Sequence, residues 1–340
     1  MKESWKKLSI SALLLLLILA GCGQSSSAPE SSGDQSEQRE EQSEDAGKTY
    51  NIGVTQYVEH PSLNAATDGF KKALEDSGLN IEYTGKNANG DSSTNTTIAS
   101  DLINSDVDLI FANATPSAQA VASVTKDIPI VFTSVTDAVG AELVESNENP
   151  GGNVTGTVDM HPDAITNTIT FLAEELGMKK VGMVYNAGEQ NSRAQVDIAN
   201  KAAEDLDSDI KIEEVTVATS ADVKQAAESL IGKVDSLYII TDNTVVSALE
   251  SVIAVANENK LPLMVGELDS VRRGGLAAYG FEYEDIGYAA GEMAIKILKG
   301  EAEAGELPVQ YPPKLKLVVN QETAETIGLE VKDEWDTDLE

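Results

Sequence analysis

From Tyr50 onward, hydrophobic positions recur in two alternating rhythms. Runs such as Tyr50–Thr55, Val107–Ala112, Ile128–Phe132, Lys180–Tyr185, Asp235–Thr241 and Leu261–Val265 are apolar along most of their length. That pattern predicts strands covered on both faces, as in a parallel sheet. Between these runs, apolar residues return every three or four positions; Leu63, Ala66, Phe70, Ala73 and Leu74 are one such set. This spacing lays a single apolar stripe along a helix. Helices are predicted from Pro61 to Gly78, over Asp91–Ser105, and from Thr115, with Thr115 as N-cap and Pro116 at the first helical position. Others cover Pro162–Leu176, Ala194–Leu206, Ala221–Ile231, Val245–Asn257 and Tyr283–Lys299. Shorter strands fall at Ile81–Tyr83, Ile210–Val217, Gly275–Gly280 and Leu315–Val319. Strands alternating with helices give an α/β class of doubly wound parallel sheets.

The rhythm runs twice. VDLIFANATPSAQAV at Val107 is echoed by VDSLYIITDNTVVSA at Val234, and KDIPIVF at Lys126 by NKLPLMV at Asn259. Two copies of one lobe are expected. The stretch Ile128–Met160, with its Pro150-Gly151-Gly152 turn, is read as the last strand and ligand loop of lobe one and the first crossing into lobe two. A second crossing follows Gly280, and a third precedes the strand at Leu315. The expected division is 49–158 plus 282–308 for lobe one and 159–281 plus 309–340 for lobe two. A multi-crossing hinge of this kind permits closure about a cleft.

The N-terminus follows different rules. Lys2, Lys6 and Lys7 precede the apolar run Leu8–Ala20, which is shorter than the roughly 20 residues needed to span a bilayer but suits a signal peptide. It ends Leu19-Ala20-Gly21-Cys22, the pattern of a lipoprotein signal peptide over 1–21 with lipid attached to Cys22. Residues 22–48 are rich in Ser, Glu and Gln and lack periodicity, so a disordered acidic tether is expected. Cys22 is the only cysteine, which excludes an internal disulfide or a cysteine-based metal site. The formal charge of −33 opposes binding to nucleic acid or to anionic membranes.

Ligands of parallel sheets bind outside the carboxyl ends of the strands. The candidates there are Gln56, Tyr57, Glu59, Thr115, Ser117, Ser134, Thr136 and Asp137 in lobe one. Lobe two adds Asn186, Glu189, Asn191, Ser192, Asp242, Asn243, Thr244 and Glu267. Turn and cap formation accounts for about half of such residues in any α/β protein. The helix start at Thr115 suits a carboxylate. Asp137, Asp242 and Glu267 suit an ammonium, and Tyr57 and Tyr185 an apolar or aromatic side chain. Arginine is scarce near these positions, which argues against a multiply phosphorylated ligand. There is no G-x-S-x-G elbow, no G-x-G-x-x-G after a strand and no Walker A loop. The histidines, His60 and His161, are read as a pocket-lining helix-start residue and a hinge residue. No catalytic group, metal site or cofactor is expected.

The segments TQYVEHPSLNAATDGFKKAL, ATPSAQA, IPIVFTSVTDAVGAELV, PGGNVTG, VYNAGEQNS and TDNTVVSA together resemble substrate-binding lipoproteins of ABC importers, in the branch that includes tryptophan/tyrosine-binding proteins. The resemblance runs from Tyr50 to about Gly328. It leaves out the acidic tail Asp333–Glu340, to which no role is assigned. It implies a type I periplasmic-binding-protein fold, no catalysis, and an amino acid, aromatic in the leading reading, as ligand. It also implies delivery to a permease with a cytoplasmic ATPase, from a lipid-anchored monomer on the outer face of a bacterial membrane. From Ala277 the chain is also similar to the ribose-binding type, in AAYGFEYEDIGYAAGEMAIKILKG and LKLVVN. A sensor or, more remotely, an enzyme on the same fold is the alternative; turnover of the ligand would distinguish the enzyme.

Overall fold

The computed structural model describes residues 47–206, 208–312 and 314–340. The expected signal peptide, Cys22 and nearly all of the expected tether lie outside them. Strands β1 (Thr49–Gln56), β2 (Asn80–Asn87), β3 (Leu109–Asn113), β4 (Ile130–Val135) and β5 (Val154–Val158) form one parallel sheet in the order β2-β1-β3-β4-β5. The second sheet takes β6 (Lys180–Tyr185), β7 (Lys211–Thr216), β8 (Ser236–Ile239), β9 (Leu263–Val265), β10 (Ala277–Gly280), β11 (Lys316–Val319) and β12 (Thr337–Leu339). Its order is β12-β11-β10-β9-β8-β6-β7, with β11 antiparallel to β10 and the other pairs parallel. The continuous apolar runs are the buried strands: every residue of β3, β4 and β5 is inaccessible.

Helices cover both faces of each sheet. In the first lobe these are α1 (Pro61–Asp76), α2 (Ser92–Ile103) and α3 (Thr115–Val124). In the second they are α4 (Ala164–Thr170), α5 (Gln190–Asp205), α6 (Val223–Leu230), α7 (Asn243–Val246), α8 (Leu249–Glu258) and α9 (Leu268–Arg272). After β10 comes α10 (Tyr283–Leu298), and after β11 comes α11 (Gln321–Ile327). Although α10 lies in sequence between strands β10 and β11 of the second sheet, it packs along α1 on the first. Gly69, Gly287 and Gly291 make that possible: a Cβ at any of them would run into the opposite helix, at the Glu284 carbonyl, the Ala66 carbonyl and the Ala73 side chain respectively. Beneath the pair, Phe70 stacks on Phe111 with ring centroids 3.8 Å apart.

The connections between the sheets are hydrogen-bonded to one another. The third crossing lies beside the first, with Val158 N–H donating to the Gln310 carbonyl (2.9 Å) and Gln310 N–H to that of Gly156 (3.0 Å). The second is tied to the first by the Tyr283 hydroxyl, which donates to Asp159 (2.8 Å). Thr136 donates to the other Asp159 oxygen at 3.2 Å.

Several elements depart from the sequence reading. The cap before α3 is Ala114, with φ 81°, so that Thr115 and Pro116 are the first two helical residues. The segment expected to begin at Pro162 becomes helical at Ala164 and ends in a π-turn, Phe171–Glu175. The helix expected over Val245–Asn257 is broken at Ala248 into α7 and α8. Helices α9 and α11 were not foreseen. Nor was a role for the acidic tail, in which β12 extends the second sheet and Trp335 packs edge-on against Phe171 (4.9 Å).

Candidate functional site

The carboxyl ends of both sheets face a cleft of about 790 Å³. Tyr57, Asn95, Thr96, Pro116 and Gln119 line it from the first lobe, and Asn186–Gln190 with Thr216–Ala218 from the second. The two walls are built from different groups.

On the first wall the chain turns sharply at two non-glycine residues in the left-handed region, Ala114 (φ 81°) and Ser134 (φ 55°). Such positions cost about 1–3 kcal/mol and cluster at ligand sites. Ala114 directly follows β3, and Ser134 lies one residue before the end of β4, where the pairing with β5 shifts register. No side chain caps α3, which leaves the amide groups of its first turn open. The hydroxyls of Thr115 and Ser134 are buried without a hydrogen-bond partner. Ser117 donates to Asn95 (3.4 Å), and the Asn95 amide donates to the Pro116 carbonyl (2.8 Å), which ties α2 to the start of α3. The Tyr57 phenol donates to the Gly90 carbonyl at 3.0 Å and leaves its ring on the cleft. Asp137 accepts from Gly140 N–H at 2.8 Å; Gly140 itself lies against Gln190 of the opposite wall.

Other first-lobe candidates have structural partners. Gln56 accepts from Thr67 (2.8 Å) and donates to Asn64 (2.8 Å) and the Val58 carbonyl (3.0 Å). Thr136 belongs to the Asp159 hinge network. Glu59 is exposed and lines a separate groove with Lys71 and Tyr83. His60 caps α1, accepting from Leu63 N–H at 3.5 Å, and faces Asn243. Its burial and the nearby Arg273 hold its pKa down to about 3, so the ring is neutral.

The second wall is built around two buried carboxylates, Asp242 and Glu189. Asp242 caps α7 by accepting from Val245 N–H (2.7 Å), and its other oxygen accepts from Asn186 N–H (2.6 Å) and the Ser192 hydroxyl (2.6 Å). Glu189 reaches the opposite way. It accepts from Asn243 N–H (3.2 Å) and side-chain amide (2.6 Å), and from Thr244 N–H (3.1 Å) and hydroxyl (2.7 Å). Asn186 adds a bond to Thr244 at 2.9 Å. All of these side chains but Asn186 are buried. Burial, with Asp242 alongside, pushes Glu189 up to about 7. Asp242 is likewise raised, by burial above all. Asn191 donates to the Thr241 carbonyl (3.1 Å), while its own carbonyl oxygen, with that of Gln190 and the Thr241 hydroxyl, has no donor. Glu267 is buried deeper, accepting from Ser270 (2.8 Å), and burial raises it to about 7. The Ser62 hydroxyl at the start of α1 lies opposite it without completing a well-formed hydrogen bond.

Tyr185 is turned away from the cleft; its hydroxyl donates to Glu214 on the neighbouring strand β7 at 2.7 Å. The sequence reading passed over Gln190, Asn95, Thr96 and the Thr216–Ala218 loop as site residues. Gln190 stood within a polar loop already singled out, but nothing in the amphipathic pattern of α2 marks Asn95 and Thr96. Among the described residues no set of His, Cys, Asp and Glu side chains is arranged to hold a metal ion.

Residues 51–336 match the family described as ABC transporter substrate binding protein. A tyrosine-binding protein of Clostridioides difficile is 42% identical over 328 residues, covering 95% of this chain and 92% of that one. A Streptococcus pneumoniae ABC domain solved in complex with L-Trp superposes with a TM-score of 0.81 at 30% identity, covering 86% of this chain and all of the other. A ligand-free, open substrate-binding protein with adhesive properties from Clostridium difficile gives 0.63 at 40% identity, covering 86% of this chain and 99% of that one. With the two-lobed fold and the facing walls, these matches place the chain in the family of ABC transporter substrate-binding proteins.

Proposed function

We propose that this protein captures a free amino acid, aromatic in its side chain, by closing its lobes, and hands it to an ABC permease driven by a cytoplasmic ATPase. One observation carries the reading: the walls of the cleft have opposite hydrogen-bonding sense. The open start of α3, with the unpartnered hydroxyls of Thr115 and Ser134, offers donors to a carboxylate. The opposite wall has an excess of acceptors, Asn191 and Gln190 foremost, in the field of two buried carboxylates. A zwitterion fits both, and the Tyr57 ring offers an aromatic side chain a face to lie against.

The relatives' names, tyrosine-binding and L-Trp-complexed, support the ligand class. The superpositions support closure. The open, ligand-free relative is the more similar in sequence yet fits less well than the tryptophan complex, as expected when rigid lobes differ in angle. Closure takes 49–158 with 282–308 as one body and 159–281 with 309–340 as the other. The mature protein is read as a monomer held by lipid on Cys22 at the outer face of the cell membrane, where ABC-importer binding proteins work.

Mass spectrometry tests both halves. The intact mature chain should carry an acyl mass on Cys22, and denaturing it should release an amino acid. Titration calorimetry with tryptophan, tyrosine and phenylalanine should then give a saturable binding curve for at least one. Absence of heat for all three, with a different molecule released, would sink the ligand class. An unmodified Cys22 would sink the anchor.

A further inference from the structure

Two of the residues expected to touch the ligand are already saturated, and the way they are saturated is informative. Asp242 stands at the start of α7 yet reaches the Asn186 loop; Glu189 ends the Asn186 loop yet reaches the start of α7. Each carboxylate is spent on the other's loop. A carboxylate has about four lone-pair positions, and Glu189 fills them with two backbone and two side-chain donors within 3.2 Å, the Asn191 amide adding a longer fifth contact at 3.4 Å. Little remains for direct contact with a ligand. What Glu189 controls is where Asn186, Gln190, Asn191 and Thr241 stand.

We propose that Glu189 is a positioning residue whose ionised carboxylate holds the two cleft loops of the second lobe in their ligand-receiving arrangement, so that capture weakens as the surroundings acidify. This rests on the amino-acid reading above.

The chemistry sets the direction. Only the ionised form accepts from all four donors; a proton on either oxygen turns it toward Asn243 or Thr244 as a donor facing donors. The donors on Asn243 and Thr244 favour the ionised form, but burial and the like charge of Asp242 outweigh them, and no facing group carries a compensating positive charge. From α7 come Asp242, a like charge, and the neutral Asn243 and Thr244; from its own helix, neutral Asn191; from the first lobe, Tyr57. Arg193, a turn along α5, spends its guanidinium on the Ala187 carbonyl. Glu189 therefore titrates at about 7, within the range an outer surface meets. A bound ammonium in the same field favours the ionised form. Capture near neutrality then releases a proton.

The test uses the full mature chain and tyrosine or tryptophan as probe. Affinity should fall about tenfold from pH 8 to pH 6. Calorimetry at pH 7 in two buffers of different ionisation enthalpy should show net proton release. In Glu189→Gln the affinity should be weaker at every pH, its pH dependence flat, and the proton release absent. Thr244→Val removes one donor without changing charge, and should move the midpoint of the affinity profile upward. It stands in if the glutamine variant does not fold. Carbon-13 NMR of the Glu189 carboxyl in the empty protein should show a midpoint near 7, whatever the ligand proves to be. Tight, pH-independent binding, a Glu189→Gln profile like wild type, an unmoved Thr244→Val midpoint, or a carboxyl titrating near 4.5 would each overturn the proposal. Failure of every amino acid to bind would instead overturn the ligand class.

Discussion

The two walls of the cleft come from similar lobes but solve different problems. The first lobe relies on main chain: the sharp turn at Ala114 leads into an uncapped helix start at the cleft, and Ser134 near the end of β4 is a second left-handed residue. The second hides its main chain behind side chains, with Glu189 and Asp242 exchanging carboxylates between adjacent loops. The first holds strain; the second holds buried charge. Both are costs to folding, and both leave polar atoms without partners at the place where a ligand would supply them.

The sharpest way to break this contrast is Asp242→Ala. Three donors, Asn186 N–H, Ser192 Oγ and Val245 N–H, lose their acceptor in a fully buried place. A lost cap together with unsatisfied buried donors should cost about 2–4 kcal/mol of stability. Chemical denaturation should show this as a lower midpoint at unchanged slope, whereas Glu204→Ala, on the exposed side of α5, should leave it in place. An unchanged Asp242→Ala midpoint would mean that the carboxylate does not hold the wall together.

The next effect in size comes from pH. Glu189 and Glu267 both rise from an ordinary 4.5 to about 7 on folding. Between those values the folded chain binds more protons than the unfolded one, so stability falls as pH rises through that window. Thermal unfolding should therefore occur at higher temperature near about pH 5.5 than near about pH 8. The combined Glu189→Gln, Glu267→Gln variant should flatten the difference, and persistence of the full slope would count against both assignments. Acid thus steadies the fold while loosening the second wall.

The smallest effect belongs to the first wall. Ser134→Gly relieves a left-handed backbone and should raise stability by about 1 kcal/mol. It also deletes an unpartnered buried hydroxyl, and should weaken ligand binding by a few-fold. Loss of stability on substitution by glycine would show that the hydroxyl matters to the empty protein.

The strand–helix alternation was legible because buried strands and amphipathic helices leave periodic marks, as in β3 and α1. The tail was not. Thr337–Leu339 is an exposed edge strand whose few residues carry no apolar pattern, although Trp335 beside it is buried. At the site, sequence could collect polar residues at strand ends but not assign their partners. Asp242 and Asp137 look alike in the chain; one is fully enclosed by three donors, the other stays half-buried in a turn beside Gln190. Tyr185 and Tyr57 also look alike, until β7 places Glu214 beside one of them. Left-handed turns at alanine and serine leave no residue signature, because glycine is the usual sign of that backbone.

The glycine-lined seam between α1 and α10 fixes an order of events during synthesis. Its halves lie more than two hundred residues apart, and until Tyr283–Leu298 emerges nothing covers the Ala66, Phe70 and Ala73 flank of the first sheet. Contacts so distant in sequence form slowly. The lobe that begins first is therefore closed only after most of the second has been made, and its unfinished flank is meanwhile open to wrong association.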